Sequence, residues 1–150
     1  MKPISLHWRH EMNDRNELFI SAHDAEGLAA MLGAHRRSSR LEADASDELA
    51  DLLMEARIVA PERLPADRVA MGSTVTYVEE PSGVRRTVTL AYPQNADPAQ
   101  GRISVLSPIG LALIGGKRGS VVMSAIPNGR QLGVRILDTV RNPQPLREAA

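Results

Sequence analysis

Ser104-Val105-Leu106-Ser107-Pro108-Ile109-Gly110-Leu111-Ala112-Leu113-Ile114-Gly115-Gly116-Lys117-Arg118-Gly119-Ser120-Val121-Val122 holds a helix start, a short apolar helix, a glycine stop and the head of a strand. Ser107 suits the cap position, where its hydroxyl satisfies an orphan N–H of the first turn. Pro108 suits the first helical position, where its fixed φ helps and its missing N–H costs nothing. Gly115 and Gly116 offer the positive φ that ends a helix. No nucleophile backed by a base lies in the stretch, so it reads as architecture.

On either side the apolar period shortens from that of a helix to that of a strand. Val75 and Tyr77 alternate with polar neighbours, Pro81-Ser82-Gly83 makes a turn, and Val88, Leu90 and Tyr92 line one face of a second strand. Pro93 to Gly101 reads as a polar loop. Beyond the helix, Val121 to Ile126 reads as a third strand and Pro127-Asn128-Gly129 as a hairpin turn. Leu132, Val134, Ile136 and Val140 form the inward face of a fourth. Strands gathered about one helix, and not alternating with helices, imply an α+β domain with an antiparallel sheet over residues 69–142.

The first half is helical in pattern. Residues 1–16 read as a polar, flexible tail, and its His7, His10 and Glu11 lack a nearby fourth ligand for a metal. Leu18-Phe19-Ile20 is a short extended segment, and Ser21 with Asp24 has the spacing of a capping box. Leu28, Met31, Leu32 and His35 then fall on one helical stripe. Gly33 weakens that helix by ~1 kcal/mol, and the basic run Arg36-Arg37-Ser38-Ser39-Arg40 suits its negative end. A second helix is expected from an N-cap at Asp44, with Leu49, Leu52, Leu53 and Ala56 on its apolar stripe and Arg57 in its last turn. Together 17–60 form a short antiparallel hairpin of two helices, each roughly 20 Å long. Pro61 and Pro65 mark a linker over 61–68, and 143–150 read as a flexible tail.

Composition excludes several classes. The 150 residues carry 18 Lys and Arg against 18 Asp and Glu, which gives no electrostatic footprint for sequence-specific nucleic-acid binding. There is no cysteine, hence no disulfide and no thiolate metal site. Trp8, Phe19, Tyr77 and Tyr92 are the whole aromatic set, too few for a base-stacking surface or an aromatic pocket. The apolar run Ile109 to Ile114 falls far short of the ~18 residues of a membrane span, and the N-terminus lacks a signal-peptide core. A cytoplasmic protein without membrane contact is expected.

The series Ser104-x-x-Ser107-Pro108-Ile109-Gly110-x-Ala112-Leu113-Ile114, then Gly119, resembles the C-terminal signature of the bacterial GreA/GreB transcription factors. Its companions follow in order: Met71-Gly72-Ser73-Thr74-Val75, Val88-Thr89-Leu90 with Tyr92-Pro93, Asp97 before Gly101-Arg102-Ile103-Ser104, and Pro127-Asn128-Gly129-Arg130. Ser120 departs from the family, which usually has an acid there. The shorter hairpin, with Phe19-Ile20, Asp24-Ala25-Glu26 and the Pro61 to Asp67 stretch, resembles the Rnk-like regulators of nucleoside diphosphate kinase. The resemblance implies an FKBP-like sheet domain and binding to the rim of RNA polymerase's secondary channel. The polymerase contact is expected at Ser107, Pro108, Ile109 and Gly110.

In Gre factors a carboxylate at the coiled-coil tip helps hold the polymerase's catalytic magnesium ion. The tip here offers Arg40, Glu42 and Asp44, with Glu42 and Asp44 the only acids. Against that role, Asp44 reads better as an ordinary helix cap and Glu42 as a solvated loop residue, and helices of ~20 Å carry a carboxylate less far than a longer coiled coil does. Prolyl isomerase activity needs an aromatic pocket that two tyrosines do not supply. Gly115-Gly116-Lys117 lacks the spacing of a phosphate loop. The expectation is therefore a non-enzymatic regulator of transcription that docks on polymerase and uses no cofactor or metal of its own. Two alternatives stay open: a regulator of nucleoside diphosphate kinase acting apart from polymerase, and a true transcript-cleavage factor.

Overall fold

A computed structural model describes residues 17–34, 40–125 and 131–142. The expectations for the two tails, for His35, Arg36, Arg37, Ser38 and Ser39, for Ile126, and for the Pro127-Asn128-Gly129 turn with Arg130 lie outside these residues.

The chain enters through β1 (Phe19–Ser21) and continues directly into α1 (Ala22–Ala34). Ser21 Oγ accepts from Asp24 N–H at 3.0 Å, the expected cap. The Asp24 carboxylate does not close the box on Ser21; it reaches across the molecule to accept from Met71 N–H at 3.0 Å. α2 spans Arg40–Glu55, so Asp44 is no cap but lies inside the helix. Arg40-Leu41-Glu42-Ala43 are all strong helix formers, and they carry the helix back past the acid that was expected to start it. Glu42, expected in a loop, stands half-buried in the first turn.

After Glu55 the chain bends at Ala56 into β2 (Arg57–Val59), which pairs with β1 in parallel, Phe19 opposite Arg57 and Ser21 opposite Val59. The stretch expected as a linker is packed: Pro61–Arg63 form a 3-10 turn, Leu64 is buried, and Arg141 donates to Pro65 O at 2.6 Å.

The second half is a five-stranded sheet in the order β5-β4-β3-β7-β6, built from β3 (Thr74–Glu80), β4 (Val84–Ala91), β5 (Arg102–Ser104), β6 (Val121–Ala125) and β7 (Gln131–Val140). β3, β4, β6 and β7 pair antiparallel, as expected. β5 adds a parallel edge beside β4, which makes the sheet mixed. Three residues, Arg102-Ile103-Ser104, are too few to show a period, and this strand exists because Gly101 O accepts from Thr89 N–H at 2.7 Å and Ala91 O from Val105 N–H at 2.8 Å. The short helix α3 (Pro108–Leu113) packs against β6.

One core joins the two halves. Ile20, Leu28, Leu49 and Leu52 from the hairpin lie with Val75, Leu90, Leu113, Ile114, Val134 and Ile136 in a single buried cluster. Full burial of such side chains contributes about 1.5–3 kcal/mol apiece, which helices of this length need, being marginal alone. On α1 no described residue beyond Leu28 is buried, and on α2 none before Ser46 with a described side chain is. Met31, Leu32 and Ala45 pack on the margin of the cluster without being buried, so the hairpin's root is part of the core and its outer described residues are more exposed.

Candidate functional site

Two surfaces carry the candidate residues, one at α3 and one at the outer end of the hairpin. At α3 the Ser107 hydroxyl is fully engaged: it accepts from Gly110 N–H at 3.1 Å and donates to Ser104 O at 2.6 Å. It is a cap and not a nucleophile. Pro108 stands exposed at the first helical position, with Ser107 and Ile109 half-buried beside it. Gly110 faces inward. A Cβ there would fall 2.8 Å from Val105 Cα and would also strike Ser104 O. Of the four residues expected to meet a partner, Gly110 thus acts by letting α3 lie flat on the β5 exit, and Pro108 presents the open edge. Gly115 ends the helix at φ +78°, in the left-handed region that favours glycine.

At the hairpin's outer end, Arg40 and Asp44 are exposed and Glu42 is half-buried. Positions two apart on a helix point about 200° from each other, so Glu42 and Asp44 do not converge on one ion. Among the described residues no group of three His, Asp or Glu side chains is placed to hold a metal. Either carboxylate alone is a hard oxygen donor suited to join a magnesium ion whose other ligands come from elsewhere.

Between these surfaces lies a joint that sequence reasoning missed. Gly115 O accepts from Phe19 N–H at 3.2 Å, and Gly115 N–H donates to Val69 O at 2.9 Å. A strip of backbone hydrogen bonds therefore runs from β2 through β1 and the end of α3 to Val69. Arg68, only 7 % exposed, donates to Glu17 O and, at 3.2 Å, to Gly115 O, with its guanidinium 4.2 Å from the centre of the Phe19 ring. Burial lowers its pKa, opposed by the nearby Asp67 and Glu17 carboxylates. Its sequence signal is slight: one arginine ahead of the apolar Val69-Ala70-Met71.

Asp24 belongs to the same joint. Burial raises its pKa, partly offset by the Met71 N–H bond and by the charges of His23 and Arg141. Tyr92 lays its hydroxyl over Gly27 of α1, where an added Cβ would require the tyrosine tip to shift, and burial with the nearby Asp24 charge pushes its pKa up to about 12. Tyr77 is in the core. Both tyrosines of the sheet domain are thus taken up by packing.

Comparison with known proteins agrees with this architecture. The family model described as "Transcription elongation factor, GreA/GreB, C-term" matches residues 64–140. Transcription elongation factor GreA of Brucella anthropi is 34% identical over 129 residues, 83% of this chain and 82% of that protein. GreA of Desulfovibrio desulfuricans is 40% identical over 74 residues, 49% of this chain and 46% of that one. Among solved structures, the prokaryotic transcription elongation factor GreA/GreB from Nitrosomonas europaea aligns at 34% identity with a TM-score of 0.65, covering 83% of this chain and 98% of that one.

These matches correct one expectation. A non-enzymatic regulator was expected because the helices are short, yet relatives that match across most of the chain are named GreA. That is the class in which, by the resemblance above, a tip carboxylate serves transcript cleavage. The finding favours the cleavage-factor alternative. With more than half of its length matching the family model and 34% identity to a GreA over 83% of its residues, the chain belongs to the GreA/GreB family of transcription elongation factors.

Proposed function

We propose that this chain is a Gre-type cytoplasmic factor that docks on RNA polymerase at the rim of the secondary channel and stimulates transcript cleavage by the polymerase's own active centre. The exposed edge of α3 at Ser107, Pro108 and Ile109 makes the rim contact, and the outer end of the hairpin enters the channel. The observation that carries the reading is that the named GreA relative aligns over 83% of the chain, so the likeness takes in the hairpin as well as the sheet. Glu42 and Asp44, in the first turns of α2, supply the candidate carboxylates, and because they diverge only one of them acts at a time. Its chemistry is that of a ligand: an added oxygen donor steadies the metal ion that activates water for attack on the RNA phosphodiester.

The test is cleavage of RNA in a backtracked elongation complex. Wild type is expected to speed cleavage well above polymerase alone. Glu42→Ala and Asp44→Ala, made singly and together, are expected to show which acid acts, with a loss of roughly 10²-fold for that one if it is a metal ligand. Cleavage by wild type no faster than by polymerase alone, or equal cleavage by wild type and the double variant, refutes the assignment.

A further inference from the structure

The hairpin is attached to the sheet domain through very little backbone. Apart from the core side chains at its root, β1 meets the end of α3 through the single bond from Phe19 N–H to Gly115 O. β2 pairs with β1 on the hairpin side of that bond. One backbone bond does not fix an angle by itself, and the shared core, the Asp24–Met71 bond and the Tyr92 tip against Gly27 act beside it. Arg68 adds a side-chain bridge at the joint itself. Its side chain takes hold of Glu17 O ahead of β1, of Gly115 O after α3, and of the face of the Phe19 ring between them. Glu17 O and the Phe19 ring belong to the hairpin side and Gly115 O to the sheet side, so one buried side chain bridges the two at more than one point. The guanidinium is suited to this because its donors are set in a rigid fork and its flat face stacks on an aromatic ring, whereas a lysine ammonium offers neither. Arg57 lies 5.7 Å from the centre of the same ring and pairs with Glu17 at 3.1 Å, but it is exposed and belongs to the hairpin itself.

What the clamp orients against matters. α3 runs only from Pro108 to Leu113, so its two ends are about 9 Å apart. Pro108 at one end faces solvent, and Gly115 just past the other holds β1. A partner seated on the first end thereby grips the part of the fold to which the hairpin is keyed.

We propose that Arg68 is a positioning residue that sets the angle of the hairpin relative to α3, so that docking at α3 places the hairpin tip at one point. The effect on cleavage rests on the function proposed above; the angle itself does not.

The chain has no cysteine, so spin labels can be placed at Glu48→Cys on α2 and Arg85→Cys on β4, both exposed, in the full chain. Wild type is expected to give one narrow label-to-label distance, and Arg68→Met and Arg68→Lys a broadened or shifted one. With RNA polymerase, Arg68→Met is expected to keep its affinity while the cleavage rate at saturating factor falls by about tenfold or more, a split that a loss of fold would not produce. Should Arg68→Met not fold, Phe19→Leu, which removes only the ring face, carries the same two expectations. Unchanged distances in these variants overturn the proposal whatever their melting temperatures, and so does a parallel loss of affinity and rate. Broadened distances beside a wild type that stimulates no cleavage leave the clamp standing and refute the proposed function instead.

Discussion

Asp24→Ala and Asp24→Asn separate two opposed contributions at the joint. The carboxylate accepts from Met71 N–H at 3.0 Å, and both residues are buried. Alanine leaves that N–H without its acceptor, a cost of about 1–3 kcal/mol. It also removes a negative charge from the first turn of α1, worth about 0.3–1 kcal/mol. Relief from burying the carboxylate opposes both. The net loss is expected near ~2 kcal/mol, or about 4–8 °C in Tm for a chain of this size.

Asparagine keeps an acceptor oxygen in the same place and carries no charge, so at neutral pH it is expected to match or exceed wild type. The pH dependence has a definite sign. Burial raises the Asp24 pKa in the folded chain, so the folded state holds the proton more tightly than the unfolded one. The contribution of Asp24 is whole below the ordinary carboxylate range and is lost as pH rises through its raised folded value. The asparagine variant lacks this loss, and its advantage over wild type grows with pH across that window. Urea unfolding followed by circular dichroism at several pH values reads both effects. Asparagine as harmful as alanine at neutral pH, or an alanine loss below about 0.5 kcal/mol, would refute the reasoning.

Two other variants probe the packing. Gly110→Ala gains about 1 kcal/mol in helix propensity, but its Cβ meets backbone that no rotamer change can move, and overpacking costs about 1–3 kcal/mol. A modest net loss of stability in urea is expected, with weaker polymerase binding because the Ser107–Pro108 edge shifts. Tyr92, whose pKa is pushed up to about 12, is expected to ionise well above a free phenol in an absorbance titration. The stability it contributes is complete below the ordinary tyrosine value and lost as pH climbs toward the raised one, and Tyr92→Phe is expected to remove its share of the alkaline loss, leaving that of Tyr77, whose pKa burial also raises.

The parts of the fold legible in the sequence are those in which a residue type answers a local backbone need. Ser107, Pro108 and Gly115 mark the two ends of α3 without reference to anything distant, and the alternation of Val75 with Tyr77 marks β3. What escaped notice was decided by partners far along the chain. β5 is a strand because β4 lies beside it, and β2 because β1 does. Asp44 misled because an acid ahead of an apolar stripe looks like a cap, when the four residues before it are themselves good helix formers. Within the candidate site, the α3 edge and the tip acids were named from the family pattern. The joint was not, because Arg68, Phe19, Asp24 and Met71 are scattered over 53 positions of sequence and come together only on folding.

The side-by-side pairing of β1 with β2 carries a consequence of its own. Both ends of the hairpin are anchored within a few residues of each other, and the helices beyond Leu28 and before Ser46 bury no described residue against the sheet. The finger is built like a cantilever, buried at its base and only lightly braced along its described span by Met31, Leu32 and Ala45. Whole turns can be spliced into or cut from both helices together, near the free end, without disturbing the foundation. The length of such a finger and the way it is mounted are therefore separate dimensions, open to change one at a time by selection or by an engineer.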